Sequence, residues 1–500
     1  MGAVEAPRRM KRRDFCKTTL IGGALSVLPA LGTRGFGAES AVSSVGDTPA
    51  VRLSGEPTRI PAGAIKDLAG HLRGRLITAG DADYDRARRV WNRSFDRKPA
   101  LIAQCTGAAD IARSLAFARD RDLLVAVRGG GHSYAGYSTC DGGLVIDLSP
   151  MRAVRVDPFA KTATVAGGAW NADLDWEAQQ YELATPMGRV GNTGVGGLTL
   201  GGGYGRLSRL HGLACDNVIS ADLITADARL LHVSATENPD LLWAIRGGGG
   251  NFGIVSSFEY RLHSVGPQVL AGNLRYAPAQ LRAVIEQYVG FCAQAPRGLS
   301  LDLAMNADDS GARVPLMLFC FVGDPQIGAR ILQSIRGASK PLTDDVQARD
   351  YVKLQTQHDG PPLSDEAEYA KTGHLREVTP ELVEAILRER TDMALSLNGG
   401  AIGDVAPTES AVAHRRELFQ MEVSASWADL TQSEKKRAEV HAVWERLKQF
   451  TTGFYGNLTV SDQKAIDENY GPNHTRLMQI KQRYDPDNVF RLNANIRPAS

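Results

Sequence analysis

Between residues 97 and 265 the apolar positions come in short runs, four to eight residues long, separated by glycine and polar clusters. LLVAVR (123–128), LVIDL (144–148), AVRV (153–156), TATV (162–165) and ISADLITADARLLHVS (219–234) have the length and β-branched content of strands joined by turns. AADIARSLAFARD (108–120) instead repeats its apolar residues at helical spacing. Beyond residue 266 the texture changes. LRAVIEQYVGF (281–291) places Leu281, Val284, Ile285 and Tyr288 on one helical face, VPLMLFCFV (314–322) reads as a buried strand, and LFQMEVSASW (418–427) sends Phe419, Met421, Val423, Ala425 and Trp427 to one side. This alternation predicts an antiparallel sheet covered by helices. A helix is expected around residues 476–482, followed by the extended tail YDPDNVFRLNANIRP (484–498), whose polar core positions suit docking on the first domain.

Five hundred residues exceed one ordinary domain. The expected divisions are a leader (1–38), a lead-in and domain start (39–96), a first domain (97–267), a second domain (268–450) and a returning C-terminal segment (451–500). The net charge of +1, with its charges interspersed, excludes a nucleic-acid partner. The N-terminus carries Arg12-Arg13 in an R-R-x-F-x-K context, then an uncharged run (18–33) too short and too glycine-containing for a membrane span. It predicts twin-arginine export to the periplasm or exterior, with no stable membrane insertion afterwards. Five cysteines follow the leader, widely spaced, and no C-x-x-C or H-E-x-x-H is present, so no metal is expected and no disulfide pair is selected.

Glycine changes the picture, because much of the chain's complement of 52 is clustered. RGGGHSYAGYS (128–138) sets a histidine and a serine just past a strand. A nucleophile built on Ser133 would need a following helix, and another strand follows instead. Gly248, Gly250 and Gly253 formally satisfy G-x-G-x-x-G, but IVSSFEYRLH (254–263) alternates as a strand, which removes the dinucleotide-fold context. The densest cluster, GRVGNTGVGGLTLGGGYGRLSRLHGLACDN (188–217), interleaves Val195, Leu198 and Leu200 and so is packed. Packed glycines present successive N–H groups suited to a pyrophosphate. Three such cradles along one domain predict a large phosphate-bearing cofactor.

RGGGHSYAGYS, GVGGLTLGGGYGRLSRLHGLACDNV, LLWAIRGGGGNFGIV and the tail, in this order over nearly all of the mature chain, resemble the berberine-bridge-enzyme-like FAD-linked oxidases of the p-cresol methylhydroxylase and vanillyl-alcohol oxidase superfamily. The resemblance implies an α+β chain: a two-subdomain FAD-binding fold with a separate substrate domain on an antiparallel sheet covered by helices. It implies flavin contacts from Arg128, Gly129, Gly130, Gly131, His132, Ser133, Gly194, Gly196, Gly197, Thr199, Gly202, Gly203, Gly205, Asp216, Asn217, Gly253 and Val255, and from Asn493 and Asn495 in the tail. It also implies a covalent bond from His132 to the flavin 8α-methyl. The cysteine that provides a second bond in many members falls on Val190, and Cys215 lies too far along, so a single histidyl link is expected, as in the hydroxynicotine-oxidase-like branch. Leu198 replaces a frequent histidine. Thr193 occupies the position that gates oxygen, which leaves oxidase and dehydrogenase both open.

The implied reaction is hydride transfer to flavin N5 from an alcohol, sugar or amine carbon, with dioxygen or another acceptor taking the electrons. Tyr455 and Asn457 in FYGNL match the family's Y-x-N base motif; a tyrosine base needs its pKa brought down from near 10. His414 and Arg415 are further polar candidates for catalysis, for which a structural ion-pairing role is the stronger reading. A non-catalytic binding protein that kept the fold is the alternative, and substrate identity is not encoded in any motif.

Overall fold

In the computed structural model, residues 46–308, 311–360, 363–459 and 462–499 are described; the predicted export leader lies outside them. The first sheet comprises β1 (Arg75–Thr78), β2 (Leu101–Gln104), β3 (Val125–Arg128) and β4 (Leu144–Asp147), in the order β1-β2-β4-β3. Both β2 and β3 pair β4 in parallel, which the crossover helix α1 (Ala108–Arg119) permits; β1 is antiparallel to β2. The strands are four residues long and buried on both faces, so they read as continuous apolar runs rather than alternating ones.

The second sheet is wholly antiparallel. It contains β5 (Val154–Asp157), β6 (Thr162–Ala166), β7 (Val218–Ile224), β8 (Leu230–Ser234) and β9 (Ile254–Arg261), in the order β8-β7-β9-β6-β5. Helix α2 (Asn171–Gln179) packs beside it. The glycine-rich stretch also contains a short helix, α3 (Val195–Leu200), where the sequence suggested only packed loop. Val195 and Thr199, one helical turn apart, both face inward, and Gly196 crosses so near the Gly167 carbonyl that a Cβ would lie 2.8 Å from its oxygen.

The third sheet carries β10 (Gln268–Arg275), β11 (Leu299–Ala307), β12 (Arg313–Phe321), β13 (Ala367–Leu375), β14 (Asp392–Leu397) and β15 (Phe419–Trp427). The order is β10-β12-β11-β14-β15-β13, with short strands Thr343–Asp344 and Gln347–Asp350 on the β10 edge. Its two faces differ. Leu301, Leu303, Met305, Met393, Leu395, Met421 and Val423 point to one side, where α4 (Leu281–Cys292), α5 (Pro325–Ala338), α6 (Pro380–Arg388) and α7 (Ser433–Leu447) cover them. Each such side chain removed from water contributes about 1.5–3 kcal/mol. Tyr288 of α4 adds hydrogen bonds to the Leu301 and Leu395 carbonyls (3.2 and 3.0 Å). The opposite face alternates in register with these residues and is polar: His374, Gln420, Ser396 and Asp302 lie side by side across four strands.

After α7 the chain forms α8 (Gln463–Asn469) and α9 (His474–Tyr484) and then runs without regular structure against the first two sheets. A buried ion pair fixes this tail. Lys481 Nζ lies 2.6 Å from Asp485 and donates to the Asn251 and Phe490 carbonyls, and Asp485 accepts from the Val489 and Phe490 amides (2.8 and 2.9 Å). Val489 and Phe490 join the core of the first sheet, and Ile496 that of the second.

Candidate functional site

A cavity of about 550 Å³ runs from the glycine-rich ends of the first two sheets to the polar face of the third. All three glycine cradles open on it: Gly129, Gly130 and Gly131; Gly194, Gly196 and Gly197; and Gly247, Gly249, Gly250 and Gly253. Gly130 and Gly194 touch through their backbones, since a Cβ on Gly130 would sit 2.3 Å from the Gly194 nitrogen. Only glycine permits that approach. A Cβ on Gly197 would meet no protein atom and would project into open space. The buried hydroxyl of Ser138, on a cavity-lining residue, has no protein partner. Bare backbone along the walls and a polar atom awaiting its partner fit an extended phosphate-bearing cofactor such as FAD.

His132 stands just beyond the carboxyl end of β3, where an open sheet with parallel strands places its ligands. Its imidazole stacks on the Trp91 indole, centroids 5.1 Å apart and planes 14° from parallel. Burial pushes its pKa down to about 4, with the Asn192 carboxamide acting the other way, so the ring is the neutral free base near pH 7. Ser133 also lines the cavity, and its hydroxyl accepts from the Tyr137 amide (3.1 Å). Val190, Thr193 and Leu198 are on the wall as well. Cys215 is not: it is buried and free, as are Cys105, Cys140, Cys292 and Cys320.

Across the cavity, Asn457 Nδ2 donates to the Tyr455 hydroxyl (2.8 Å) and to the Leu198 carbonyl (3.1 Å). The Gly203 and Tyr204 amides also support that phenolic oxygen, but burial outweighs all three donors and pushes the phenol up to about 12. Tyr204 meets the Tyr455 ring edge-on at 4.8 Å. Val255 and Asn493 line the wall, the latter beside Gly250.

Several residues expected at the cofactor lie off the cavity wall. Arg128 pairs with Asp147 (2.9 Å) inside the first sheet. Thr199 bonds to the Tyr260 hydroxyl (2.8 Å). A Cβ on Gly203 would strike the Ala214 side chain and one on Gly205 the Met187 carbonyl, so these glycines serve chain packing; Gly202, with φ +112°, turns the backbone. Asp216 takes both arms of Arg415 (2.7 and 2.8 Å), which makes Arg415 the structural partner expected of it. Asn217 bonds to His263 and to the His211 and Leu213 carbonyls. Asn495 lies off the cavity, its carbonyl accepting from Gln463 (2.8 Å).

Other wall residues belong to no motif legible in the sequence. Trp91 precedes the histidine motif by some forty positions. His374, Ser396, Asn398, Gln420 and Glu422 come from the polar face of the third sheet. His374 stacks on His414 at 5.0 Å, and burial together with that neighbour lowers its pKa to about 3. Burial raises the Glu422 carboxyl and takes Glu368, which accepts from Tyr134 (3.2 Å), up to about 7. Arg189 reaches Ser396 and Asp302 from the glycine-rich side (3.3 and 2.9 Å).

Residues 99–234 match the family model for an FAD binding domain, and residues 448–497 the one described as berberine and berberine like. The chain is 30% identical over 450 residues to (R)-6-hydroxynicotine oxidase of Paenarthrobacter nicotinovorans, covering 85% of this chain and 97% of that protein. Among solved structures, 6-hydroxy-D-nicotine oxidase of Arthrobacter nicotinovorans superposes with a TM-score of 0.79 at 27% identity, over 86% of this chain and 98% of that one. Glucooligosaccharide oxidase of Acremonium strictum, whose FAD is 6-S-cysteinyl and 8α-N1-histidyl, gives 0.79 at 26% identity, over 87% and 100%.

Proposed function

As a member of the berberine-bridge-enzyme-like FAD-linked oxidases of the p-cresol methylhydroxylase superfamily, the chain is an FAD-linked oxidoreductase, and we propose that it carries FAD on a single bond from His132 and oxidises a polar alcohol, sugar or amine with dioxygen as acceptor. The observation carrying this reading is His132 itself: a neutral imidazole on the cavity wall, its ring held against an indole, is a nucleophile in the correct protonation state. With valine at 190 and Cys215 off the wall, no thiol among the described residues is placed to add a second bond. The glycine cradles and Asn493 would hold the rest of the cofactor. Bound FAD would supply a hydride acceptor at N5.

The protein's own part is to orient the substrate, exclude water and receive a proton. The polar face of the third sheet supports a hydrogen-bonding substrate, since His374, Gln420 and Ser396 stand in one cross-strand row on the wall. Leaving such groups buried without partners costs about 1–3 kcal/mol each. Tyr455 would receive the proton from the substrate O–H or N–H as its phenolate and end as the phenol; the N–H donors at its oxygen favour that phenolate, while burial, which raises the phenol to about 12, opposes it. Glu422 supports a second reading of the base, because its carboxyl is the acid that lines the same wall. Dioxygen as acceptor rests on the relatives' being oxidases. Export, resting on Arg12-Arg13, is tested by fractionating cells expressing the paired lysine variant, which should retain the protein inside.

The test of the reaction is anaerobic mixing of purified protein with alcohols, aldoses and amines while the flavin absorbance is followed. Bleaching by one class, and its return with peroxide on admitting air, is the expected result. Bleaching that air does not reverse would replace dioxygen by another acceptor.

A further inference from the structure

The segment just before the first sheet's second strand, residues 89–95, belongs to none of the glycine motifs, yet it touches the linking histidine, the glycine loop and the third sheet at once. The Trp91 amide donates to the Gly131 carbonyl (3.1 Å) and Arg128 reaches the Arg89 carbonyl (3.3 Å), so the segment is tied to the loop carrying His132. Asn92, fully buried, reads the backbone of Glu368 in β13 in both directions, donating from Nδ2 to the carbonyl (2.8 Å) and accepting from the amide at Oδ1 (3.1 Å). The Arg93 amide donates to the Glu366 carbonyl (3.2 Å). Between these two anchorages the Trp91 indole lies flat on the His132 imidazole and also meets the Tyr134 ring at 5.2 Å.

His132 follows three glycines, one of them, Gly131, at φ +74°, so its own loop does little to hold the ring. An indole fixed from two sides does hold it, and it removes water from one imidazole face. We infer that Trp91 is a positioning residue for covalent attachment of the flavin, presenting His132 as an oriented, dehydrated free base. The inference rests on the histidyl-link reading above. In the step it serves, His132 loses its N–H proton and gains an N–C bond to the 8α carbon, which loses one hydrogen. The two electrons and two protons released pass through the ring system to dioxygen, leaving as hydrogen peroxide.

The test uses full-length protein made under riboflavin limitation, then supplied with FAD in air. Attachment is followed as flavin that stays with the acid-denatured pellet, against total flavin bound. Trp91→Leu should bind FAD as wild type does but attach it at least tenfold more slowly, whereas Trp91→Phe, which restores a flat ring, should return to within threefold. The rate–pH profile of Trp91→Leu should also move upward towards the ordinary histidine range, a shift that a packing defect alone would not produce. Should the leucine variant fail to bind FAD, the comparison rests on Trp91→Phe against Trp91→Met; equal attachment rates in those two overturn the inference. Wild-type attachment rates in a leucine variant that holds FAD also overturn it. Wild-type protein with no covalent flavin at all would overturn the histidyl link instead, which separates the two failures.

Discussion

The tail that brings Asn493 to the cavity is held by one buried cation, and replacing it gives a prediction with a size. Lys481 and Asp485 are both fully buried, 2.6 Å apart. In Lys481→Met the Asp485 carboxylate stays in place without its cation, which costs about 3–5 kcal/mol for a buried pair broken on one side. Two amide donors, from Val489 and Phe490, remain on the carboxylate and place the expected loss near the lower end of that range. This ion pair closes the tail locally, so the loss should appear in opening of residues 485–499 rather than in the whole fold. Hydrogen exchange of that peptide, read by mass spectrometry, should quicken by about two orders of magnitude at 1.4 kcal/mol per decade. The double variant Lys481→Met/Asp485→Leu, which removes both charges, should recover most of the protection. Exchange of the single variant within tenfold of wild type, or a double variant as open as the sum of the singles, would refute the reasoning.

Attachment of the flavin should be independent of pH from about 5 upward and should fall through about pH 4, because burial lowers the His132 pKa and only the free base is nucleophilic; a stopped time course on flavin-free protein checks this. A midpoint near 6.5 would mean that the ring is hydrated. Tyr455→Phe should slow anaerobic flavin bleaching by about 10²–10⁴ with unchanged flavin content, the range expected for loss of a general base. A change below tenfold would pass that role to Glu422, to be checked with Glu422→Gln. Cys215→Ser should leave the covalent flavin intact, since the thiol is buried beside the Asp216–Arg415 pair and off the cavity wall; loss of attachment in that variant would overturn the assignment.

What could be read from the sequence was the cofactor side. Gly129, Gly130 and Gly131, Gly194, Gly196 and Gly197, and Gly247, Gly249 and Gly250 are informative because clustered glycine leaves the backbone bare to a ligand whatever lies around it, and they line one cavity. Helix α4 over the third sheet was equally readable, because Leu281, Val284, Ile285 and Tyr288 repeat at helical spacing and such a stripe has one physical use. The substrate side was hidden for the converse reason. On β13 and β15 the polar residues His374, Gln420 and Glu422 alternate with buried apolar ones, the same pattern a solvent-facing strand shows. Thr199, Gly205, Asp216 and Asn217 belong to the same motif as wall residues but pack against or bond to protein groups off the wall, a distinction that only the fold reveals. Trp91 reaches His132 by a fold-back that no local pattern encodes.

The most direct test of the account is to denature the purified protein in acid, collect the precipitate, and record its visible spectrum, its intact mass and its flavin-bearing tryptic peptide. The account predicts a yellow pellet heavier by one FAD, with the modification on the peptide containing His132 and none on a cysteine. A colourless pellet with free FAD in the supernatant would contradict the covalent link, and flavin found on any residue other than His132 would contradict the geometry on which the proposed chemistry rests.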